Sequence, residues 1–163
     1  MKKSLRQSVV RSLLVVGACT LALALSSTPS HAKTDFGVRT GAYADQDDPF
    51  LGAEALFNMG TQKQWFGNPN IEHAFDDNGD TTTASFDFHY DFPSGHRYTV
   101  WAGAGPTIIF RDRNQPGNDD STDGGVNVLV GVGSKTGDVR PYGQMKVIVA
   151  DDSQAVLGVG VRF

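Results

Sequence analysis

The sequence predicts an all-β fold, an eight-stranded antiparallel up-and-down barrel. Residues 33–163 contain eight segments in which apolar and polar side chains alternate, separated by clusters of Gly, Asp, Asn and Ser. A strand places successive side chains on opposite faces, so alternation with a period of two indicates a sheet with one apolar and one polar face. No segment shows the periodicity of an amphipathic helix, which supports the all-β prediction.

The eight predicted strands follow this alternation along the chain. They cover residues 35–44, 50–59, 65–75, 81–92, 97–110, 125–134, 139–150 and 154–163. The fourth is the clearest, because Phe86, Phe88 and Tyr90 share one face while Asp87 and His89 share the other. Most segments are close to the roughly 9–11 residues that a tilted strand needs to cross a bilayer.

The other segments have similar apolar faces. In chain order these are Leu51, Ala53, Ala55, Phe57 and Met59 in the second; Ile71, His73 and Phe75 in the third; Tyr98, Val100, Ala102, Ala104, Pro106, Ile108 and Phe110 in the fifth; Val126, Val128, Val130 and Val132 in the sixth; and Val139, Pro141, Met145, Val147 and Val149 in the seventh.

Residues 1–32 have the pattern of a secretory signal peptide. A basic start with Lys2 and Arg6 precedes an uncharged apolar run over 13–25, and Ser30-His31-Ala32 fits a small-x-small cleavage site. The run is shorter than the roughly 20 apolar residues of a membrane helix. We therefore predict cleavage after Ala32 and a barrel over 33–163, with lipoprotein processing at Cys19 as the alternative.

Cleavage would change both the cysteine content and the charge. Cys19 is the single cysteine, and the signal peptide contains four of the 14 basic residues and none of the 18 acidic ones. The exported chain would therefore have no disulfide despite an oxidising compartment, and it would be strongly acidic. Such a chain lacks the basic footprint of a nucleic-acid-binding protein.

The composition of the two faces predicts which side of the barrel is outside. The apolar faces contain no Asp, Glu, Lys or Arg, as contact with lipid requires. The opposite faces are rich in glycine, which suits the narrow lumen of an eight-stranded barrel. A closed barrel also leaves no backbone group unpaired in lipid. We predict a transmembrane barrel, with a soluble periplasmic barrel for a small apolar ligand as the alternative.

The last strand ends on an aromatic residue. Val159, Val161 and Phe163 share its apolar face. This ending is similar to the C-terminal signature of bacterial outer-membrane barrels, and the whole pattern resembles the small eight-stranded class of OmpX and the OmpA transmembrane domain. The resemblance implies an outer-membrane location, an insertion signal at these three residues, and contact with the insertion machinery, outer-membrane lipid and lipopolysaccharide.

An even number of strands places both ends of the barrel on the periplasmic side. The connectors 60–64, 93–96 and 135–138 are then periplasmic, and 45–49, 76–80, 111–124 and 151–153 face outside. The resemblance implies long outer loops and short periplasmic turns. The long connector 111–124 agrees with that expectation.

Charged residues on the polar faces are predicted to fill the lumen. The set comprises Arg39, Glu54, Glu72, Asp87, His89, Asp91, Arg140, Lys146 and Arg162. Buried charges persist when they are paired or hydrated. We expect a salt-bridged and closed lumen that Trp101 obstructs further, with a narrow ion or water path as the alternative. Because Gly131 faces this polar interior, Gly131→Ser is expected to be tolerated far better than Val130→Arg on the apolar face.

Catalytic and metal-binding signals are weak. Ser85 and His89 share a face but lie about 13 Å apart by strand rise, too far for a nucleophile and its base. His73 faces lipid, yet Phe75 stands where a lipid-modifying barrel enzyme of the His-x-Ser type would have its serine. Part of a calcium loop is present at Asp76, Asn78 and Asp80, without the distal Glu of an EF-hand.

The sequence therefore predicts a monomeric outer-membrane barrel of structural or surface-interaction type. It predicts no enzymatic activity, no cofactor and no nucleic-acid partner. The alternatives are a lipid-modifying barrel enzyme and the soluble periplasmic barrel.

Overall fold

The computed structural model describes residues 34–44, 48–60, 64–75, 79–112 and 121–163. The predicted signal peptide 1–32 and the alternative processing site Cys19 lie outside these ranges. The strands are β1 Thr34–Tyr43, β2 Asp48–Asn58, β3 Trp65–Ala74, β4 Thr81–Asp91, β5 Tyr98–Arg111, β6 Ser121–Ser134, β7 Arg140–Val149 and β8 Gln154–Arg162. Within the described ranges, no helix is long and apolar enough to cross a membrane.

Each strand pairs antiparallel with the next one in sequence, and β8 pairs with β1 to close the barrel. Phe36 and Phe163 complete the seam with two backbone hydrogen bonds of 3.1 and 2.9 Å. The prediction of an eight-stranded antiparallel up-and-down barrel is confirmed.

The strand β6 begins four residues earlier than predicted. Ser121–Gly124 is part of the predicted loop 111–124, since Ser, Asp and Gly are turn formers. In the structure this segment pairs with Ile108–Arg111 of β5, and Asp123 forms an ion pair with Arg111. Pairing along the hairpin therefore overrides the local turn preference.

The connectors contradict the expected loop asymmetry. The end with Thr34 and Phe163, here called the terminal end, has the connectors 59–64, 92–97 and 135–139. The opposite end, here called the loop end, has 44–47, 75–80, 112–120 and 150–153. Only 112–120 is longer than every terminal-end connector. It is shorter than the predicted loop 111–124 because β5 and β6 extend into that loop. Loop length therefore does not indicate which end faces outside.

The outer face of the barrel is apolar. Large hydrophobic side chains face outward from all eight strands, and Val128, Leu157 and Val159 are 53%, 56% and 59% exposed. Asp, Glu, Lys and Arg are absent from the outward positions of the described strands, where His73 is the single imidazole. This distribution is the reverse of that in a soluble protein, which buries its apolar face.

Inside the barrel, glycine makes room for two large aromatic side chains. A Cβ atom at Gly131 would lie 2.3 Å from the Trp101 indole, and one at Gly160 would lie 2.6 Å from the Tyr142 ring. The expectation that Gly131→Ser is tolerated is therefore wrong. The alternation correctly placed Gly131 inside, but it did not show that a ring from β5 lies against it.

Candidate functional site

The centre of the barrel contains a buried charged layer, formed by Arg39, Glu54, Glu72, Asp87, Lys146 and Arg162. Glu72 is its most connected residue. One carboxylate oxygen lies 2.5 Å from Nη2 of Arg39, and the other lies 2.5 Å from Nζ of Lys146. Hydroxyls of Tyr43 and Thr83 also donate to Glu72, at 3.4 and 3.2 Å. Both oxygens of this buried carboxylate are therefore compensated.

Glu54 forms the second centre of the charged layer. Its Oε1 atom accepts a hydrogen bond of 2.6 Å from Nε of Arg162, and its Oε2 atom accepts one of 3.2 Å from the Asn68 amide. Arg39 approaches Glu54 as well, with Nη1 3.7 Å from Oε2. Arg39 thus links the two glutamates into one network.

Asp87 is compensated by amides rather than by a cation. Asn70 and Asn127 donate to its two oxygens at 2.8 and 2.9 Å. Arg39 in turn donates to Oδ1 of the Asn70 side chain, which connects Asp87 to the rest of the layer. With three carboxylates and three cations, the charged layer is balanced, as burial in a narrow lumen requires.

An apolar cluster closes each side of the charged layer. Towards the loop end lie Tyr43, Phe50, Ala74, Ile109, Ile148 and Val156. Towards the terminal end lie Trp101, Leu129 and Tyr142. The Arg162 guanidinium carbon lies 5.0 Å from the Trp101 ring centroid and 4.2 Å from that of Tyr142, so this cation is held against both rings.

Little free volume remains between these groups. A void of about 10 Å³ is lined by Arg39, Glu72, Gln144, Lys146 and the rings of Phe50 and Tyr142. Such a volume has room for about one water molecule. The charged layer can therefore hold the strands together from within, but it has no space for a ligand.

The remaining predicted lumen residues lie outside the central network. Arg140 pairs at 2.6 Å with Asp35, an inward residue of β1 that the sequence analysis did not include. Asp91 accepts a hydrogen bond of 3.4 Å from Thr99 near the terminal end. His89 is buried edge-on between Phe66 and Trp101, with centroid distances of 5.6 and 5.8 Å. The predicted set is thus divided between a network and separate contacts.

Three buried asparagines that the predicted lumen set lacks also belong to the site. Asn68, Asn70 and Asn127 satisfy Glu54, Arg39 and Asp87, yet they carry no charge that would single them out in the sequence. The alternation of each strand could have identified these asparagines, because it places them inside the barrel, where a buried amide needs a hydrogen-bond partner.

On the outer face near the loop end, the structure brings a hydroxyl to His73 from the next strand. Nδ1 of His73 lies 2.9 Å from Oγ1 of Thr82, and Nε2 lies 3.9 Å from the Asp80 carboxylate. A histidine, a hydroxyl and a carboxylate are also the residue types of a hydrolase triad. The cross-strand partner satisfies His73, however, and the Asp80 contact exceeds hydrogen-bond length. We interpret the group as an interfacial polar contact.

The weak calcium candidates are only partly described. Asp76 and Asn78 lie outside the described residues, and Asp80 contacts His73. In the part of the chain that the structure describes, no group of three or more His, Cys, Asp or Glu residues could hold a metal ion.

Comparison with solved structures identifies the fold. The N-terminal β-barrel domain of Pseudomonas aeruginosa OprF matches with a TM-score of 0.68 at 14% identity, over 82% of this chain and 98% of that one. Neisserial surface protein A (NspA) matches with a TM-score of 0.61 at 15% identity, over 82% and 98%. Ail, the attachment invasion locus protein of Yersinia pestis, matches with a TM-score of 0.56 at 12% identity, over 81% and 97%.

The chain has the fold of the small eight-stranded outer-membrane barrels. No family model and no curated protein sequence matches it. The resemblance predicted from the alternation and the terminal Phe163 is confirmed as a likeness of fold, and none of the three matching structures is named as an enzyme.

The residues of the predicted insertion signal lie at the barrel seam. Val159 and Phe163 are 59% and 57% exposed on the outer face, and Val161 is partly exposed beside them. Phe163 lies opposite Phe36 of β1, so the last residue of the chain helps to close this outer-membrane barrel fold.

Proposed function

We propose that this chain is an integral outer-membrane β-barrel of structural or surface-interaction type, with a closed lumen and no catalytic activity. The observation that carries the proposal is the inverted distribution of side chains. Exposed Val, Leu and Phe side chains cover the outside, and the charged layer occupies the inside. A bilayer stabilises that arrangement, whereas water would leave a large apolar surface exposed.

The soluble periplasmic alternative requires a cavity for an apolar ligand. Among the described residues, the void beside the charged layer measures about 10 Å³, which is too small for such a ligand. The same packing supports a lumen without conductance, because the clusters around Phe50 and Trp101 interrupt any polar path between the two ends. Both features support a structural or surface-interaction role for this molecule.

The proposed partners follow from the apolar outer face of the barrel and from the outward residues of β8. Outer-membrane lipid and lipopolysaccharide would contact the apolar face, and the insertion machinery would read the Val159, Val161 and Phe163 face of β8. We propose a monomer. Ail has been solved with a heparin analogue, sucrose octasulfate. A polyanion suits this chain poorly, because the described loop-end connectors carry Asp80, Asp112, Asp151 and Asp152.

Single-cysteine labelling tests the inverted distribution directly. Cysteines at Val128 and Val130 are expected to react with a lipid-phase probe, and cysteines at the inward positions Asn127 and Leu129 are not. Detergent-dependent extraction from outer membranes, with a gel shift between boiled and unboiled samples, reports the folded barrel. Release by an osmotic wash without a gel shift would refute the membrane location.

A further inference from the structure

Gly143 is an outward-facing glycine of β7 that the barrel itself does not require. A Cβ atom there would meet a single neighbour, the Gly158 carbonyl oxygen, at 4.0 Å. Its backbone is also ordinary, since the positive-φ glycines of the described chain are Gly79 and Gly137. By contrast, the outward Gly67 is covered by Phe57, whose Cζ atom would lie 2.7 Å from a Cβ. Glycine weakens a strand, so its presence at 143 has another reason.

The missing side chain leaves an apolar groove of about 560 Å³ on the outer face. Its walls are Val100, Val130, Val132, Met145, Leu157 and Val159, and its floor is backbone of β7 and β8. Gly143 pairs with Val132 on one side and Val159 on the other, so the groove runs between two rows of valine. It lies in the terminal half of the barrel, about 10 Å along β7 from Arg140 at a strand rise of about 3.4 Å per residue.

Two exposed cations lie at the terminal end below this groove. Arg97 precedes β5 and Lys135 follows β6, and the Lys135 backbone N–H donates to the Arg97 carbonyl oxygen at 2.8 Å. Nζ of Lys135 donates to the Ser94 carbonyl oxygen at 3.1 Å, which holds the ammonium at the rim. Asp138 is the exposed carboxylate of the same turn, and the partly buried Asp91 carboxylate at the end of β4 also interacts with Lys135. The exposed guanidinium and ammonium groups nevertheless offer several N–H donors to a phosphate.

We propose that the groove and these two cations bind one anionic glycerophospholipid, with an acyl chain over Gly143 and the phosphate at Arg97 and Lys135. The proposal rests on the membrane location proposed above. It commits to a lipid because the side chains that form the groove walls are apolar and because Arg97 and Lys135 can donate to a phosphate at the rim. Basic side chains near a membrane surface attract anionic lipid in this way.

A matched set of variants tests the groove. Native mass spectrometry would measure how much phosphatidylglycerol the full barrel retains when it is released from detergent micelles. Gly143→Leu fills the groove without a clash, since its Cβ would meet only the Gly158 carbonyl oxygen, at 4.0 Å. We expect it to displace the acyl chain and to lower phosphatidylglycerol retention about tenfold. Ala53→Leu adds the same side chain to an exposed outward position of β2 and is expected to leave retention unchanged.

The rim is tested separately by Arg97→Gln with Lys135→Gln. This double variant is expected to lose the preference for phosphatidylglycerol over zwitterionic phosphatidylethanolamine, by about thirtyfold if each cation contributes as basic residues near a membrane surface do. A boiled-against-unboiled gel confirms that each variant has folded.

Two outcomes would overturn the lipid site. One is equal phosphatidylglycerol retention by Gly143→Leu, Ala53→Leu and the unmodified chain. The other is a dimer mass that Gly143→Leu removes, which would assign the groove to a second copy of the chain. Failure of the membrane location is read independently, because the unmodified protein would then appear in the osmotic wash.

Discussion

Replacing Glu72 by Gln tests whether the charged layer stabilises the barrel. Gln keeps the shape of the side chain but removes the charge that Arg39 and Lys146 both approach at 2.5 Å. Lys146 would then lose its direct ion-pair partner, while Arg39 would keep Glu54 at 3.7 Å. Glu72 is 1% exposed and Lys146 is 2% exposed, so water cannot replace the lost carboxylate without opening the interior.

Removing one partner of a buried ion pair costs about 3–5 kcal/mol. We expect Glu72→Gln to lower the free energy of unfolding by that amount, which is a factor of about 10² to 10³·⁵ in the folding equilibrium. Urea unfolding of the barrel in lipid vesicles, followed by tryptophan fluorescence, measures the change. Trp101 reports on the interior and Trp65 on the outer face, so both surfaces are monitored.

Two further variants make this prediction refutable. Asp123→Asn makes the same chemical change in the rim pair with Arg111, whose side chains are 14% and 26% exposed, and it should cost about 1 kcal/mol or less. Glu72→Gln combined with Lys146→Met removes both charges and should recover most of the loss. If Glu72→Gln costs no more than Asp123→Asn, and the double variant recovers nothing, the interior charges are hydrated and the packed charged layer is wrong.

Three other perturbations test the remaining features. Gly131→Ser should destabilise the barrel in the same urea assay because its Cβ would overlap the Trp101 indole, and combination with Trp101→Ala should restore part of the loss; full stability of the single variant would contradict this packing. Val130→Arg puts a charge on the outer face and should cost about 2–4 kcal/mol if the residue is near the bilayer midplane, whereas a stability equal to that of the unmodified barrel would argue against lipid contact. Deleting Phe163, or replacing it by Asp, should leave export intact and cause accumulation in the periplasm; normal outer-membrane levels of both variants, measured by fractionation, would exclude the insertion signal.

The alternation was sufficient to predict all eight strands and the face that each residue occupies. It was insufficient where the answer depends on which residues meet across the barrel. Asp35 reaches Arg140 across β8, and Asn127 reaches Asp87 across Gly105 of β5; neither contact has a local signature in the sequence. The error at Gly131 arises between neighbouring strands, since the side chain of Trp101, its direct partner on β5, fills the space beside it.

Turn chemistry misled the prediction at the loop end for a different reason. Ser121–Gly124 consists of residues that favour turns in isolation, yet each of them pairs with a residue of β5. Turn preference therefore fails to predict the end of a strand where the neighbouring strand continues and offers further backbone partners.

The order of charges along the chain has a consequence for assembly. The three carboxylates of the charged layer come from the adjacent strands β2, β3 and β4, whereas its cations come from β7, β8 and β1. Before closure, β1 to β4 would carry a net negative charge, because Arg39 accompanies three carboxylates there, and β7 and β8 would carry a positive charge. Arg162 reaches Glu54 across 108 residues, so the charges of the layer balance only when the last strand arrives. The opposite net charge of the two halves thus favours closure, and a chain that stalls before β8 would keep one excess negative charge in its interior.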